Sequence, residues 1–258
     1  MQINKNYNEN CLETMAKMPD NFIDLTVTSP PYDDLRTYNG YSFDFESIAK
    51  DLYRTTKIGG VVVWVVGDST LKGSETGTSF RQALFFKECG FNLHDTMIYD
   101  KGGAGGAKGS NLAYWNGFEY MFVFTKGKLK TFNSINDRKN PSFGRTVKVN
   151  SRKKDGTSGT VRAVKIKEFG KRFNLWIIKD GKRQKQHPAV FPEQIANDHI
   201  VSWSNEGDLV YDCFMGSGTT AKMATINNRN WIGSEMSSEY CEIIKKRLAQ
   251  HQAQTVLF

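Results

Sequence analysis

The chain has 258 residues, 39% of them apolar and 24% charged, which is typical of a globular protein with a large core. No apolar stretch approaches the roughly 20 residues of a membrane span, and residues 1–20 lack the apolar block of a signal peptide, so we expect a cytoplasmic protein. The four cysteines, Cys11, Cys89, Cys213 and Cys241, are scattered without a Cys-x-x-Cys pair, which argues against structural zinc or a disulfide framework.

The net charge of +8 is unevenly distributed along the sequence. Residues 126–187 hold 19 Lys/Arg and 4 Asp/Glu, a net charge of +15, whereas the rest of the chain has a net charge of −7. A basic segment in an acidic body indicates a polyanionic partner, with DNA or RNA as the default. The alternative is a solvated, poorly ordered insertion.

Strand and helix patterns alternate along the first 125 residues. The β-branched run over 61–66 is uninterrupted, which is typical of a strand buried on both faces of a parallel sheet. The alternation predicts an α/β fold with a doubly wound, mostly parallel sheet. In chain order we expect a short strand, a helix capped by Asn10, strands over 22–28, 61–66, 97–99 and 116–126, and helices over 43–56 and 80–89.

The pattern changes at residue 126. Residues 126–186 are basic and contain only short β-like pieces, such as 175–178, with aromatic residues among the charges. We expect a small β-rich insertion that contacts nucleic acid, in which most of the aromatics serve packing. Beyond it the sequence predicts a constrained loop over 187–192, helices over 193–204, 221–226 and 238–252, and strands over 209–211 and 230–235.

A glycine loop follows the strand that ends at Asp212. The spacing Gly216-x-Gly218-x-x-Ala221 matches the dinucleotide-binding fingerprint, and Glu235 lies 19 residues past Gly216, about where an acid would bind ribose hydroxyls. Such a loop usually opens a nucleotide-binding fold, but here only 38 residues remain after Thr220. Most strands must therefore precede the loop, which predicts a circularly permuted sheet.

A second motif, Ser29-Pro30-Pro31-Tyr32, follows the strand over 22–28. The prolines stiffen the backbone and remove two N–H donors. Ser29 Oγ and the Pro30 carbonyl can then accept both protons of an exocyclic amino group, and Tyr32 offers a face on which a flipped base stacks. The bland alternative is a turn after a buried strand.

The two motifs together, Ser29-Pro30-Pro31-Tyr32 and then Phe214-x-Gly216-x-Gly218, resemble those of the permuted β group of S-adenosylmethionine-dependent DNA amino-methyltransferases. The resemblance implies a Rossmann-like fold and methylation of N4 of cytosine, slightly favoured by the serine, or N6 of adenine. It also implies double-stranded DNA as the partner, with a restriction endonuclease and a second copy of the chain as further candidates. The implied parts are a catalytic half (1–125), a basic target-recognition insertion (126–186) and a cofactor-binding half (187–258).

The resemblance also assigns roles to individual residues. The catalytic motif is Ser29, Pro30, Pro31 and Tyr32, and no residues have metal-ligand spacing. Departures from the family pattern are Cys213, where proline is common and which we interpret as structural, and Asn10, where aspartate is frequent. The implied S-adenosylmethionine contacts are Asn10 and Cys11 at the adenine ring, His187, Pro188 and Pro192 in the loop before the glycine motif, Asp212, Phe214, Gly216, Gly218, Thr219 and Thr220 in the methionine-binding loop, and Glu235 at the ribose.

Three other functions remain open from the sequence. One is the same fold acting on RNA, and another is a non-catalytic nucleic-acid-binding module with a degenerate cofactor site. An NAD-dependent dehydrogenase is disfavoured by the late position of the glycine loop and by the basic segment.

Overall fold

The structure is a computed structural model that describes residues 1–31, 43–103, 112–153, 155–178 and 192–255. Fourteen strands and six helices are assigned within these ranges. They are β1 (Lys5–Tyr7), α1 (Cys11–Ala16), β2 (Ile23–Thr28), α2 (Phe45–Thr55), β3 (Thr56–Val66), β4 (Thr70–Leu71), β5 (Ser74–Glu75), α3 (Thr78–Glu88), β6 (Asn92–Asp100), β7 (Phe118–Thr125), β8 (Arg138–Lys139), β9 (Thr146–Arg152), β10 (Ser158–Lys165), β11 (Phe169–Gly170), β12 (Leu175–Ile177), α4 (Glu193–Trp203), β13 (Leu209–Asp212), α5 (Thr219–Ile226), β14 (Asn230–Ser234) and α6 (Ser238–Thr255).

Eight strands form one sheet in the order β1-β14-β13-β2-β3-β7-β6-β12. The first five strands of this order pair in parallel, β7 runs antiparallel between β3 and β6, and β12 pairs in parallel with β6. The strands β13 and β14 come last in the chain but lie between β1 and β2 in the sheet. The mostly parallel sheet with a permuted strand order is therefore confirmed.

Alternate residues of β3 enter two separate hydrophobic cores. Val61, Val63 and Val65 pack in the core that α4, α5 and α6 cover, whereas Val62 and Trp64 pack in the core that α1, α2 and α3 cover. Consecutive strand residues point to opposite faces of a sheet, so an uninterrupted apolar run requires helices on both faces. The doubly wound arrangement predicted from this run is confirmed.

Three stretches of the large sheet differ from the sequence prediction. The strand expected over 61–66 begins at Thr56. The strand expected over 97–99 extends over Asn92–Asp100, because β7 pairs along its whole length and compensates for residues of low strand propensity. The β-like piece at 175–178, expected inside the insertion, is instead the edge strand β12 of the large sheet.

The chain divides into two compact units, residues 1–133 with 174–258 and residues 134–173. The second unit lies within the predicted insertion 126–186 and is shorter at both ends. The functional division of the chain into three parts stays a prediction. Among the described residues, no helix has the length and apolar character to cross a membrane.

Candidate active site

The site lies where the carboxyl ends of β13 and β2 meet. These strands are parallel neighbours, with Tyr211 opposite Thr26. Asp212 therefore lies beside Thr28, whose Oγ1 donates a hydrogen bond of 2.6 Å to Asp212 Oδ1 across 184 residues of sequence. Ser29 follows Thr28 directly, so this hydrogen bond brings the first motif to the start of the glycine loop.

Asp212 is buried, and its carboxylate is occupied by protein donors. Besides Thr28, the backbone N–H of Phe214 donates to Oδ1 at 3.0 Å, and Thr220 Oγ1 donates to Oδ2 at 2.7 Å. Burial raises the pKa of Asp212. The hydrogen bonds from Thr28, Thr220 and Phe214 offset part of this effect, and the pKa remains above its ordinary value. This geometry assigns Asp212 to holding the loop and the first turn of α5, while its predicted contact with the cofactor stays a prediction.

The glycine loop turns through two left-handed residues, Gly216 with φ 51° and Gly218 with φ 82°. The N–H of Gly218 donates to the Met215 carbonyl at 2.9 Å, and Gly218 is the N-cap of α5. A Cβ at Gly218 would lie 3.0 Å from the side chain of Ile244 on α6. Glycine is therefore required there both for its backbone conformation and for close packing.

Glu235 follows β14 and reaches back to the same loop. Its Oε2 accepts a hydrogen bond of 2.8 Å from the N–H of Gly216, and its Oε1 accepts one of 2.8 Å from the N–H of Ser237. Burial raises the pKa of Glu235, and the backbone hydrogen bonds from Ser237 and Gly216 lower it. Each carboxylate oxygen can accept two hydrogen bonds, so Glu235 keeps acceptor capacity for a ligand diol. Glu235 thus fits the ribose of S-adenosylmethionine, and the glycine loop lies directly beside it.

Asn10 and Cys11 begin α1. Asn10 Oδ1 accepts from the N–H of Leu12 at 2.9 Å, which confirms the predicted cap. Cys11 is buried in the core that also contains Tyr211 and Cys213, and burial raises the pKa of its thiol to about 12. The thiol is neutral and directed into the protein, so any contact of Cys11 with an adenine ring would involve the backbone.

Phe214 forms an aromatic wall beside the glycine loop. Its ring lies edge-on to those of Phe43, at 5.6 Å between centroids, and Trp64, at 6.2 Å. Edge-to-face pairs at these distances are favourable packing contacts. Phe43 was not identified from the sequence as part of the site, because only its helical spacing with later residues was apparent.

An ionic cluster joins the three helices behind the loop. Glu193 at the start of α4 pairs with Lys222 of α5 at 2.8 Å and with Arg247 of α6. The Arg247 guanidinium also donates to the Ser217 carbonyl, the Ser217 hydroxyl and Thr219 Oγ1, each at 3.1 Å. Arg247 therefore fixes the glycine loop from outside. No sequence signal pointed to it, because the contact depends on how α6 packs.

The structure describes only some of the remaining predicted site residues. Pro192 is the N-cap of α4, next to this ionic cluster. Pro30 is buried and Pro31 is half-buried at the end of β2. Tyr32, His187 and Pro188 lie outside the described residues, and their roles stay predictions.

Cys213 is a core residue, in agreement with the structural role predicted for it, and His199 is also buried. His199 Nδ1 accepts a hydrogen bond of 3.1 Å from Trp203 Nε1, and burial lowers its pKa to about 3, so the ring is neutral. Burial raises the pKa of the Cys213 thiol well above its usual range. In the part of the chain that the structure describes, no group of three or more His, Cys, Asp or Glu could hold a metal ion.

A permuted doubly wound sheet with a glycine loop beside a Ser-Pro-Pro motif defines an S-adenosylmethionine-dependent methyltransferase fold. The family model N6_N4_Mtase, described as DNA methylase, matches residues 23–246, and the chain belongs to this family. The chain is 60% identical over 241 residues to the orphan methyltransferase M.BamHII of Bacillus amyloliquefaciens, covering 89% of each chain. It is 28% identical to the type II methyltransferase M.HpaI of Haemophilus parainfluenzae, covering 93% of this chain and 72% of the relative.

Solved structures share the fold. The PvuII DNA methyltransferase (cytosine-N4-specific) matches with a TM-score of 0.70 and 20% identity, covering 93% of this chain and 84% of the other. The M1.HpyAVI complex with SAM matches with a TM-score of 0.63 and 21% identity, covering 95% and 99%. The family, the fold class and the enzyme class predicted from the sequence are confirmed, and the predicted cofactor agrees with the ligand of this second structure.

Proposed function

We propose that the protein transfers a methyl group from S-adenosylmethionine to the exocyclic amino group of a base flipped out of double-stranded DNA. We favour N4 of cytosine over N6 of adenine as the acceptor. The observation that carries the proposal is the hydrogen bond between Thr28 and Asp212, because it joins the Ser29-Pro30-Pro31 end of β2 to the glycine loop. The family match supports DNA over RNA as the substrate.

When bound, S-adenosylmethionine would supply an electrophilic methyl group: its carbon–sulfur bond would break to leave S-adenosylhomocysteine, and the amino nitrogen would release one proton to solvent. The residues of the chain make the amino nitrogen reactive, since its lone pair is delocalised into the base ring. Ser29 Oγ and the Pro30 carbonyl accept hydrogen bonds from its two N–H groups and draw the nitrogen towards tetrahedral geometry. Positioning of this kind lowers the barrier by roughly several kcal/mol.

The cofactor half of the proposal rests on the loop geometry. Glu235 keeps acceptor capacity for the ribose hydroxyls, and the hydrogen bond that it accepts from the N–H of Gly216 holds the left-handed turn at Gly216 and Gly218 beside it. Asn10 and Cys11 are proposed to contact the adenine ring. The methionine end is proposed to contact the glycine loop, and the loop before it supplies further cofactor contacts. The residues of the glycine loop are Asp212, Phe214, Gly216, Gly218, Thr219 and Thr220, and those of the preceding loop are His187, Pro188 and Pro192.

The test is transfer of a labelled methyl group to unmethylated plasmid DNA by the wild type, Ser29→Ala and Ser29→Asp. We expect Ser29→Ala to lose activity by about 100-fold or more, the range for removing one positioned hydrogen-bonding group from an active site. Ser29→Asp retains acceptor oxygens and is the matched control, for which we expect measurable activity. Full activity of Ser29→Ala would contradict the proposal.

Two further measurements complete this test. S-adenosylmethionine binding by calorimetry should be unchanged in Ser29→Ala, and failure of the wild type to bind would instead support a non-catalytic module. Mass spectrometry of the digested DNA distinguishes N4-methylcytosine from N6-methyladenine. Structured RNA added as a competitor should not reduce transfer to DNA.

The partners follow from this activity. We propose action on cellular DNA in the cytoplasm. The relative at 60% identity is named an orphan methyltransferase, whereas several more distant relatives are named type II methyltransferases, so a partner restriction endonuclease remains a hypothesis. Challenge of the methylated plasmid with endonucleases that cut at the modified sequence tests it. Light scattering tests the proposed homodimer.

A further inference from the structure

Residues 134–173 form a single β-hairpin, here called the arm. At its base the N–H of Arg172 donates to the Ile135 carbonyl at 2.9 Å, followed by the β8–β11 pair. Midway the N–H of Ile166 donates to the Arg145 carbonyl at 2.9 Å, and the β9–β10 pair continues from there to the tip. The two halves of the arm are therefore held to each other mainly by backbone hydrogen bonds.

The arm has no hydrophobic core of its own. Among the side chains that the structure describes, at 134–151, 153 and 155–173, none is buried. It contains twelve Lys/Arg and three Asp/Glu, a net charge of +9. A two-stranded hairpin is marginally stable in water, and this charge density favours a polyanionic partner. Charge and exposure together fit a surface that contacts DNA.

The β9–β10 ribbon has two chemically different faces. Residues that are paired directly across an antiparallel ladder lie on the same face, and faces alternate along each strand. Thr146 pairs with Lys165, and Lys148 pairs with Ala163. One face, here called the polar face, consists of Thr146, Lys148, Asn150, Val161, Ala163 and Lys165.

The opposite face is mostly apolar. Val147 pairs with Val164, and Val149 pairs with Arg162. These three valines are between 38% and 48% exposed, so each is partly shielded from solvent. Arg162 contributes a positive charge to this face. The two faces therefore differ in hydrogen-bonding capacity, because the polar face concentrates lysine, asparagine and threonine side chains.

The pairing of the ribbon is irregular near its tip. The pairing register shifts between Ser158 and Val161, and Gly159 lies in the shift. A Cβ at Gly159 would lie 2.3 Å from Ser151 Oγ, so only glycine allows this close approach. Bulges increase the right-handed twist of a ribbon, which helps a ribbon to follow a helical groove.

We propose that the polar face of the β9–β10 ribbon lies in the major groove of the substrate DNA, with Lys148 and Asn150 at base edges and Lys165 at a phosphate. This inference rests on the proposed function. The major groove, about 12 Å wide, admits a two-stranded ribbon and presents a distinct pattern of donors and acceptors for each base pair, whereas the minor groove, about 6 Å wide, presents a degenerate pattern. Lysine pairs with the O6 and N7 acceptors of guanine, and asparagine pairs with N6 and N7 of adenine.

The test begins with the full-length wild type. Modified-base sequencing of plasmid DNA methylated by the wild type gives the target sequence, and a short duplex containing it is compared with a scrambled duplex. We expect Lys148→Ala and Asn150→Ala to bind the target duplex about 10-fold to 100-fold more weakly and the scrambled duplex nearly as well as the wild type. In methyl transfer, KM for DNA should rise while kcat holds.

Lys165→Ala and Arg162→Ala separate the alternatives. Lys165→Ala should weaken both duplexes alike and reduce the slope of log affinity against log salt by about 1. Arg162→Ala is the matched control, because it removes a cation from the opposite face of the same ribbon and should leave the base preference unchanged. Thermal unfolding of each variant should match the wild type, since no described side chain of the arm is buried.

The outcomes are distinguishable. If the wild type methylates DNA but Lys148→Ala and Asn150→Ala keep its affinity and target preference, the inference fails while the proposed function holds. If Arg162→Ala alone changes the target preference, the opposite face reads the bases and the inference is also overturned. If the wild type methylates no DNA, the proposed function itself fails.

Discussion

Thr28→Val removes the hydroxyl that links the two halves of the site and keeps the size of the side chain. Thr28 is 1% exposed, and its Oγ1 lies 2.6 Å from Asp212 Oδ1. A hydrogen bond to a charged group contributes about 1.5–3 kcal/mol, and its loss leaves a buried carboxylate with one donor fewer. We expect a loss of about 2 kcal/mol in the free energy of unfolding, which lowers Tm by roughly 4–8 °C for a chain of this size.

Thr26→Val is the matched control on the same strand. Thr26 is fully buried two residues earlier, and among the described residues its Oγ1 has no hydrogen-bond partner. Removing an unsatisfied buried hydroxyl eliminates a desolvation cost, so we expect Thr26→Val to be neutral or to stabilise the protein by about 1 kcal/mol. The same chemical change thus has opposite expected effects at positions 26 and 28.

The pH dependence provides a second check on Asp212. Burial raises its pKa in the folded state, so the folded protein binds this proton more tightly than the unfolded chain. The free energy of unfolding contributed by Asp212 therefore falls as pH rises from the unfolded pKa to the folded pKa. Removing the Thr28 hydrogen bond raises the folded pKa further, so the deficit of Thr28→Val should be larger at a pH above the folded pKa than at a pH below it.

Urea unfolding at the two pH values measures all of these quantities. Equal losses for Thr28→Val and Thr26→Val would show that any Thr→Val change on β2 is destabilising and would refute the reasoning. If the loss in free energy of unfolding for Thr28→Val does not depend on pH, Thr28 does not preferentially stabilise the ionised form of Asp212.

Two further predictions concern the cofactor loop. Glu235→Gln should bind S-adenosylmethionine about 10-fold to 100-fold more weakly by calorimetry, since a charged acceptor contributes about 1.5–3 kcal/mol. Because burial raises the pKa of Glu235, the affinity of the wild type should fall as pH drops through that raised pKa. An affinity that does not change with pH would count against a role for the ionised carboxylate. Gly218→Ala should lower both stability and cofactor affinity, because Gly218 has a φ of 82° and an added Cβ would lie 3.0 Å from Ile244. Gly77→Ala is the matched control, because Gly77 has a φ of 63° and an added Cβ would have nothing within 4 Å. The loss at Gly77 should be about 1 kcal/mol, the cost of a left-handed alanine, and an equal loss at Gly218 would show that Ile244 yields without cost.

The fold was largely predictable because its signals are local. The uninterrupted run at 61–66 requires apolar cover on both faces, and the position of Asp212 so late in the chain requires a permuted sheet. Both expectations match the structure. The extension of β6 back to Asn92 was not predictable, since strand propensity at such positions is set by the neighbouring strand.

The site was predictable in its motifs but not in the contacts that support them. Asp212 appeared from the sequence to be a ligand-binding acid, but its donors in the structure are Thr28, Thr220 and the backbone of Phe214. Thr28 could have been identified from the sequence, because a hydroxyl at the end of one parallel strand can reach an acid at the end of the next. Arg247 could not, since its contact with the glycine loop depends on the packing of α6.

The Thr28–Asp212 contact also explains why the chain order of the two motifs does not affect the chemistry. All the parallel strands of a sheet present their carboxyl ends at one edge, so the motif after β2 and the loop after β13 face the same space whichever comes first. A circular permutation changes only which of the loops at this edge connects the two halves of the domain. The connection between the two halves of the site can therefore carry an insertion, and the arm at 134–173 lies in that stretch. If the strand ends hold the cofactor and the arm contacts DNA, as proposed, changes in the arm should alter the target sequence without altering cofactor affinity.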